Sequence, residues 1–123
     1  MTNYMKLEHE LLDGEYTEVW CDEPKQNYVH HAPHKFQVVA TEDRDTLALI
    51  RFQEGAIKEH GVNGVTNEDL ILMIMKRLEC FQETKFACRD NEEALNGLHK
   101  ALYHLTNRTR ERKARGVEGT HKV

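Results

Sequence analysis

Long hydrophobic runs are missing from this chain. Its longest apolar stretch is Leu70 to Met75, six of 123 residues, where a membrane-crossing helix needs about 20. A membrane partner is therefore not expected. Cysteine is scarce, and Cys21, Cys80 and Cys88 lack the close pairing of a metal site. They read as reduced thiols of a cytosolic protein. Aromatic residues make up 7% and charged residues 31%, which describes a polar soluble chain with a modest core. Repeats and low-complexity tracts are absent. Met1 to Leu12 carries Lys6, Glu8, His9 and Glu10 and so has no signal-peptide core. An overall positive charge is lacking too: the net charge is −4, and a nonspecific DNA binder is usually basic throughout its domain.

What charge there is follows a gradient. Residues 1–45 carry −6, residues 46–105 carry −2, and residues 106–123 carry +4. An acidic front and a basic tail suit two faces of one surface, or the two halves of a head-to-tail oligomer.

Periodicity supplies the elements. Asn3 to Leu12, with Met5, Leu7, Leu11 and Leu12 apolar, reads as a short helix ended by Asp13-Gly14. Tyr16 to Cys21, Lys35 to Ala40 and Thr46 to Phe52 read as strands, the last two joined by the polar turn Thr41 to Asp45. Gln53 to Lys58 is a connector. Gly61-Val62-Asn63-Gly64 is a tight turn with residues that tolerate positive φ. Leu70, Ile71, Ile74, Leu78 and Phe81 then recur at helical spacing, after a Thr66/Asp69 pair that resembles a capping box. Ala94, Leu95, Leu98, Ala101, Leu102 and Leu105 form one stripe of a second helix. Asp90 and Asn91 are its expected caps, and Gly116 is its left-handed stop, with Val117 folding back. The expected fold class is α+β: a small N-terminal antiparallel sheet of two or three strands, then a C-terminal antiparallel helical hairpin. One domain over residues 1–123 is expected, with a β-rich part at 1–60 and the hairpin at 61–123. Leu70 to Met75 is apolar all round, so a second face of that helix should pack on a sheet or on another subunit.

Chemistry-bearing residues are few. His30, His31 and His34 share a loop, but Pro33 breaks any helical pair, and no cysteine or carboxylate stands at metal spacing. The loop reads as solvated or as a ligand contact, and no cofactor or metal is expected. No nucleophile and base are fixed together, so an enzyme is not expected. Arg108 to Arg115 holds five bases in eight residues. Arg108 and Arg112, at i, i+4, either clamp phosphate or are solvated cations at a helix end. Phe81, with Gln82, is expected to face the turn of Arg89, Asp90 and Asn91. An aromatic face, an amide and an arginine suit a nucleobase, although Phe81 also fits as the last core residue of its stripe. The platform and the clamp lie at opposite ends of the hairpin, and would meet if subunits pack antiparallel.

Several motifs go beyond periodicity. The GVNG turn, the helix end RL-x-x-FQ, the linker CRDN and the tail R-T-x-x-R-x-x-RGVEGT resemble the hairpin domain of small phage proteins. That domain is shared by Thoeris anti-defence and anti-CBASS proteins. The likeness runs from Phe52 to His121, and strands before the hairpin place it nearer the Thoeris branch. The resemblance implies a sponge. Such a protein binds cyclic nucleotide immune signals, glycocyclic ADP-ribose or cyclic oligonucleotides, and holds them intact in the cytoplasm of the infected bacterial host. It further implies a homo-oligomer, dimer or hexamer, with ligand sites between protomers. By resemblance Phe81 stacks on a base, Asn91 hydrogen-bonds and Arg108 binds phosphate; Arg89 and Arg112 are added from charge and position. Gly97, inside the second helix, departs from the family's pattern. The rival readings are an enzyme degrading the same signal, a phage nucleic-acid-binding regulator and a plain interaction module; nucleic acid is not the expected partner.

Overall fold

The computed structural model describes residues 4–8, 14–22, 32–120 and 122. The chain forms two compact units, Met1–Val65 and Thr66–Val123.

The first unit is an antiparallel sheet with strands in chain order: β1 (Tyr4–Leu7), β2 (Thr17–Asp22), β3 (Lys35–Ala40) and β4 (Thr46–Arg51). The fourth strand beyond the expected two or three is β1, so Tyr4 to Leu7 is not the helix that the leucine spacing implied. Met5 lies opposite Cys21 and Leu7 opposite Val19. A four-residue segment has too few internal contacts to choose its own conformation, and pairing with β2 decides it. Leu11 and Leu12 lie outside the described residues.

Met5, Cys21, Phe36 and Ile50 form one row across the sheet, and Lys6, Trp20, Gln37 and Leu49 form the next. Side chains alternate between faces, so these rows point opposite ways. The first is apolar, and Phe36 meets Phe52 edge-on at 5.3 Å. Among the described residues of the unit, Cys21 and Val39 are buried, at 2% and 5% exposure. The other face is held by Glu18. Its carboxylate accepts hydrogen bonds from Arg44 Nη1 at 2.9 Å and Trp20 Nε1 at 3.1 Å, and Lys6 Nζ stands 3.6 Å away.

After β4 the chain makes a one-turn helix, α1 (Ile57–His60), inside what the sequence presented as connector and turn. Gln53 and Asn63 clip the segment shut. Asn63 N–H donates to Gln53 Oε1, and Gln53 Nε2 donates to the Gly61 carbonyl. The Asn63 amide exchanges two bonds with the Glu54 backbone, at 2.8 and 2.9 Å. Val65 then pairs with Phe52. A Cβ at Gly64 would collide with the Phe52 carbonyl and lie 2.7 Å from the Arg51 oxygen. The GVNG motif is thus a structural clasp, and its last glycine is there for close backbone approach.

The second unit is the hairpin of α2 (Asn67–Phe81) and α3 (Arg89–Ala114). The capping box is formed: Asp69 N–H donates to Thr66 Oγ1 and Thr66 N–H donates to Asp69 Oδ2. At the C-terminus of α3, Gly116 has φ 76°, and Val117 N–H returns to the Arg112 carbonyl, as Gly116 promised. The expected caps of α3 were misplaced. Cys88 is the N-cap, its Sγ accepting from Asn91 N–H at 3.4 Å, while Asp90 and Asn91 belong to the first turn.

Candidate functional site

The turn end of the hairpin is built around Gln82. Its Nε2 donates to the Cys88 carbonyl at 3.1 Å, and its Oε1 accepts from Cys88 N–H at 3.0 Å. This two-way clip holds Cys88 extended, at φ −157°, which fixes where α3 begins. Gln82 is therefore occupied by the turn. Thr84 Oγ1 donates to the Phe81 carbonyl at 2.6 Å and accepts from Phe86 N–H at 3.1 Å, closing the loop between the helices.

Phe81, the last residue of α2, leaves 40% of its surface exposed, so it is no simple core terminus. The Arg77 guanidinium stands 5.6 Å from its ring centroid, a cation–π contact one helical turn back. Asn91 is half-buried in the first turn of α3. Its Nδ2 reaches the Phe86 carbonyl at 3.5 Å, the outer limit of a hydrogen bond. Among the described residues nothing donates to its Oδ1. An asparagine amide so held offers a donor and an acceptor side by side, the pattern that matches an adenine edge. Arg89 opens α3, exposed and without a partner among the described residues.

Arg108 and Arg112 are elsewhere. At 1.5 Å per residue, roughly 25 Å of helix separates Asn91 from Arg108. Within one chain the residues expected to take a base and those expected to take phosphate are not brought together. Arg108 is exposed and unpaired among the described residues. Arg112 is half-buried, and its Nη2 donates to the carbonyls of Val117 at 3.0 Å and Thr120 at 2.9 Å. It pins the tail, which explains the RGVEGT motif beside it. Arg115 pairs with Glu111 at 3.6 Å. His34 precedes β3, and its carbonyl accepts from Phe52 N–H at 2.7 Å; His30 and His31 lie outside the described residues.

Sequence reasoning missed Arg77 and the thiol cap of Cys88, and it read Gln82 as facing the turn without the clip to Cys88 that engages it. Arg77 could have been found from its i, i+4 spacing to Phe81. The thiol cap had no signal, since cysteine is not a usual N-cap residue.

The comparisons bear on this geometry. The Acb2/Tad1 hairpin-domain model matches residues 44–110. Thoeris anti-defense 1 of Bacillus phage SBSphiJ7 is 40% identical, over 94% of this chain and 97% of its own length. The chain belongs to the Acb2/Tad1 hairpin-domain family. The match spans β4, the GVNG clasp, all of α2 and most of α3.

Proposed function

We propose that this protein is a phage anti-defence sponge. It acts inside the infected host cell and holds a cyclic nucleotide immune signal, of the glycocyclic ADP-ribose or cyclic oligonucleotide type, without cleaving it. Membership of the family of a Thoeris anti-defence protein supports the anti-defence part. The observation that carries the binding part is the turn end of the hairpin. An exposed ring backed by Arg77 stands at the end that also holds Asn91, whose amide keeps its acceptor unused. A ring and an amide can take a base by stacking and edge recognition.

The phosphate contact comes from Arg108, with Arg89 and the remaining guanidinium nitrogens of Arg112 in support. Since Arg108 lies a helix length from Asn91, both reach one ligand only when the site is shared between protomers. The hairpin favours such assembly. Met75 is its one buried residue among those described, while Leu72, Met73 and Ile74 are 52%, 60% and 47% exposed. Two helices alone cannot cover an apolar run that faces all ways. A homo-oligomer, dimer or hexamer, covers it.

The test is a release assay. The protein is incubated with each candidate cyclic nucleotide, freed of unbound ligand, heat-denatured and chromatographed. Intact signal in proportion to protein is expected; a chemically altered product would replace the sponge with an enzyme. Arg108→Ala should weaken binding by roughly 2–4 kcal/mol, the range for removing one partner of a buried charge contact, with no change in melting temperature. Unchanged affinity would remove Arg108 from the site.

A further inference from the structure

The sheet carries two cations that no side chain among the described residues engages. Lys35 and Arg51 stand directly opposite each other on β3 and β4. Like charges in a cross-strand pair repel and destabilise a sheet. Two other cations of this unit share a carboxylate: Glu18 takes Arg44 at 2.9 Å and Lys6 at 3.6 Å. Lys35 and Arg51 are exposed, and neither side chain has a salt bridge or hydrogen bond among the described residues. Asp22 stands in the same row, opposite Tyr4.

A groove of about 240 Å³ lies at this place, lined by Tyr4, Lys35, Phe36, Leu49, Ile50 and Arg51. By register and alternation, Tyr4, Lys35, Leu49 and Arg51 share one face. Phe36 and Ile50, of the neighbouring row, line the groove as well. Two of the four face residues are exposed hydrophobics, Leu49 at 74% and Tyr4 at 39%.

From this we propose a second ligand site: the Lys35/Arg51 end of the sheet binds a nucleoside monophosphate, its phosphate between the two cations and its base against Tyr4 and Leu49. The like-charge pair becomes favourable once a dianion sits between its members. The aromatic ring and the leucine supply the apolar surface that a free phosphate would leave unused. At about 240 Å³ the groove is smaller than the roughly 300 Å³ at which pockets for whole small molecules begin, so it takes one ring and leaves the phosphate at the rim. Residues 1–45 carry −6, a field that opposes a polyanion such as RNA and leaves only this local basic focus. The site uses no hairpin residue.

The probe is AMP, titrated by two-dimensional amide NMR into the full chain, with inorganic phosphate and adenosine alongside. Saturable shifts are expected at Tyr4, Lys35, Phe36, Leu49 and Arg51, with AMP at least tenfold tighter than phosphate or adenosine. K35Q/R51Q should lose those shifts while its melting temperature holds or rises, because a repulsion is removed. Phe81→Ala should keep them, and release of cyclic nucleotide by K35Q/R51Q should match the parent, which separates this site from the hairpin's. Absence of shifts at millimolar AMP, or shifts that survive K35Q/R51Q, would overturn the proposal. Equal affinity for phosphate and AMP would overturn the place given to the base.

Discussion

The two units differ in how far their polar side chains are engaged. In the sheet unit, several polar side chains are bound to one another or to nearby backbone. Glu18 takes Arg44, Trp20 and Lys6; Gln37 Nε2 donates to Thr46 Oγ1 at 2.7 Å; Gln53 and Asn63 clip the connector. In the hairpin, backbone groups are capped with equal care but several cations stand open, and large apolar side chains are exposed in both units, Tyr16, Leu47 and Leu49 of the sheet unit among them. Phe81, Leu72, Met73 and Ile74 are exposed, and Arg89, Arg108 and Arg110 have no partner among the described residues. The difference teaches what each unit is for. A surface whose polar groups are satisfied internally is finished as it stands. One that exposes a ring, free cations and an apolar stripe is completed by something else. The Lys35/Arg51 row, with Leu49 beside it, leaves part of the sheet open in the same way.

The largest effect that would break this comparison lies in the clasp. Gly64→Ala forces a methyl group into the Phe52 and Arg51 carbonyls, and backbone cannot step aside as a side chain can. It should cost about 3 kcal/mol or more and should lower the melting temperature of the sheet unit. A change within about 0.5 kcal/mol would mean the connector is held far more loosely than its hydrogen bonds indicate.

Next comes the apolar stripe. Met73, 60% exposed, can become Glu at little cost to an isolated hairpin. If the stripe is an interface, Met73→Glu removes roughly 1.5–3 kcal/mol of apolar burial per protomer and desolvates a charge. Light scattering after size exclusion should then show smaller particles. An unchanged mass would place the interface elsewhere.

These experiments bear on features that were legible in the sequence to different degrees. β3, α2 and α3 were readable because alternation and helical spacing persist over enough residues to outweigh local noise, and the capping box and Gly116 stop were written in short motifs. The strand β1 was not, because four residues pair with β2 through contacts the local pattern does not contain. Cys88 as a cap was hidden because the Gln82 clip, six residues away, fixes its conformation. The two ends of the candidate site read differently as well. Phe81 and Asn91 fall at the turn as the hairpin spacing required. Arg112, grouped with Arg108 by spacing alone, proved to hold the tail, because the sequence cannot show where Val117 and Thr120 return.

A smaller effect sharpens the contrast between a finished and an unfinished surface. Gly97 sits within α3, and nothing lies within 4 Å of where its Cβ would be. Glycine in a helix interior costs about 1 kcal/mol against alanine. Gly97→Ala should therefore raise the melting temperature by a few degrees. If it weakens assembly instead, a partner's backbone closes on that position, and the helix breaker has its reason in the oligomer.

The smallest effect belongs to the sheet and concerns pH. The hydrogen bond from Arg44, then that from Trp20, hold the Glu18 carboxyl below its ordinary value of 4.5, with burial opposing them in part. A carboxylate whose folded pKa is depressed adds stability above its unfolded value, and that contribution is lost as pH falls through the folded one. The loss should therefore begin near pH 4.5 and deepen below it. Glu18→Gln should flatten this acid limb while leaving melting near pH 7 only slightly lower, because an amide oxygen can still accept from Arg44. The pair is surface-lying, so added salt should shrink the difference between the two proteins. An acid limb of equal steepness in both would assign the sheet's acid sensitivity to its other carboxylates, and would leave Glu18 as an anchor for Arg44 and Trp20 with no part in the pH response.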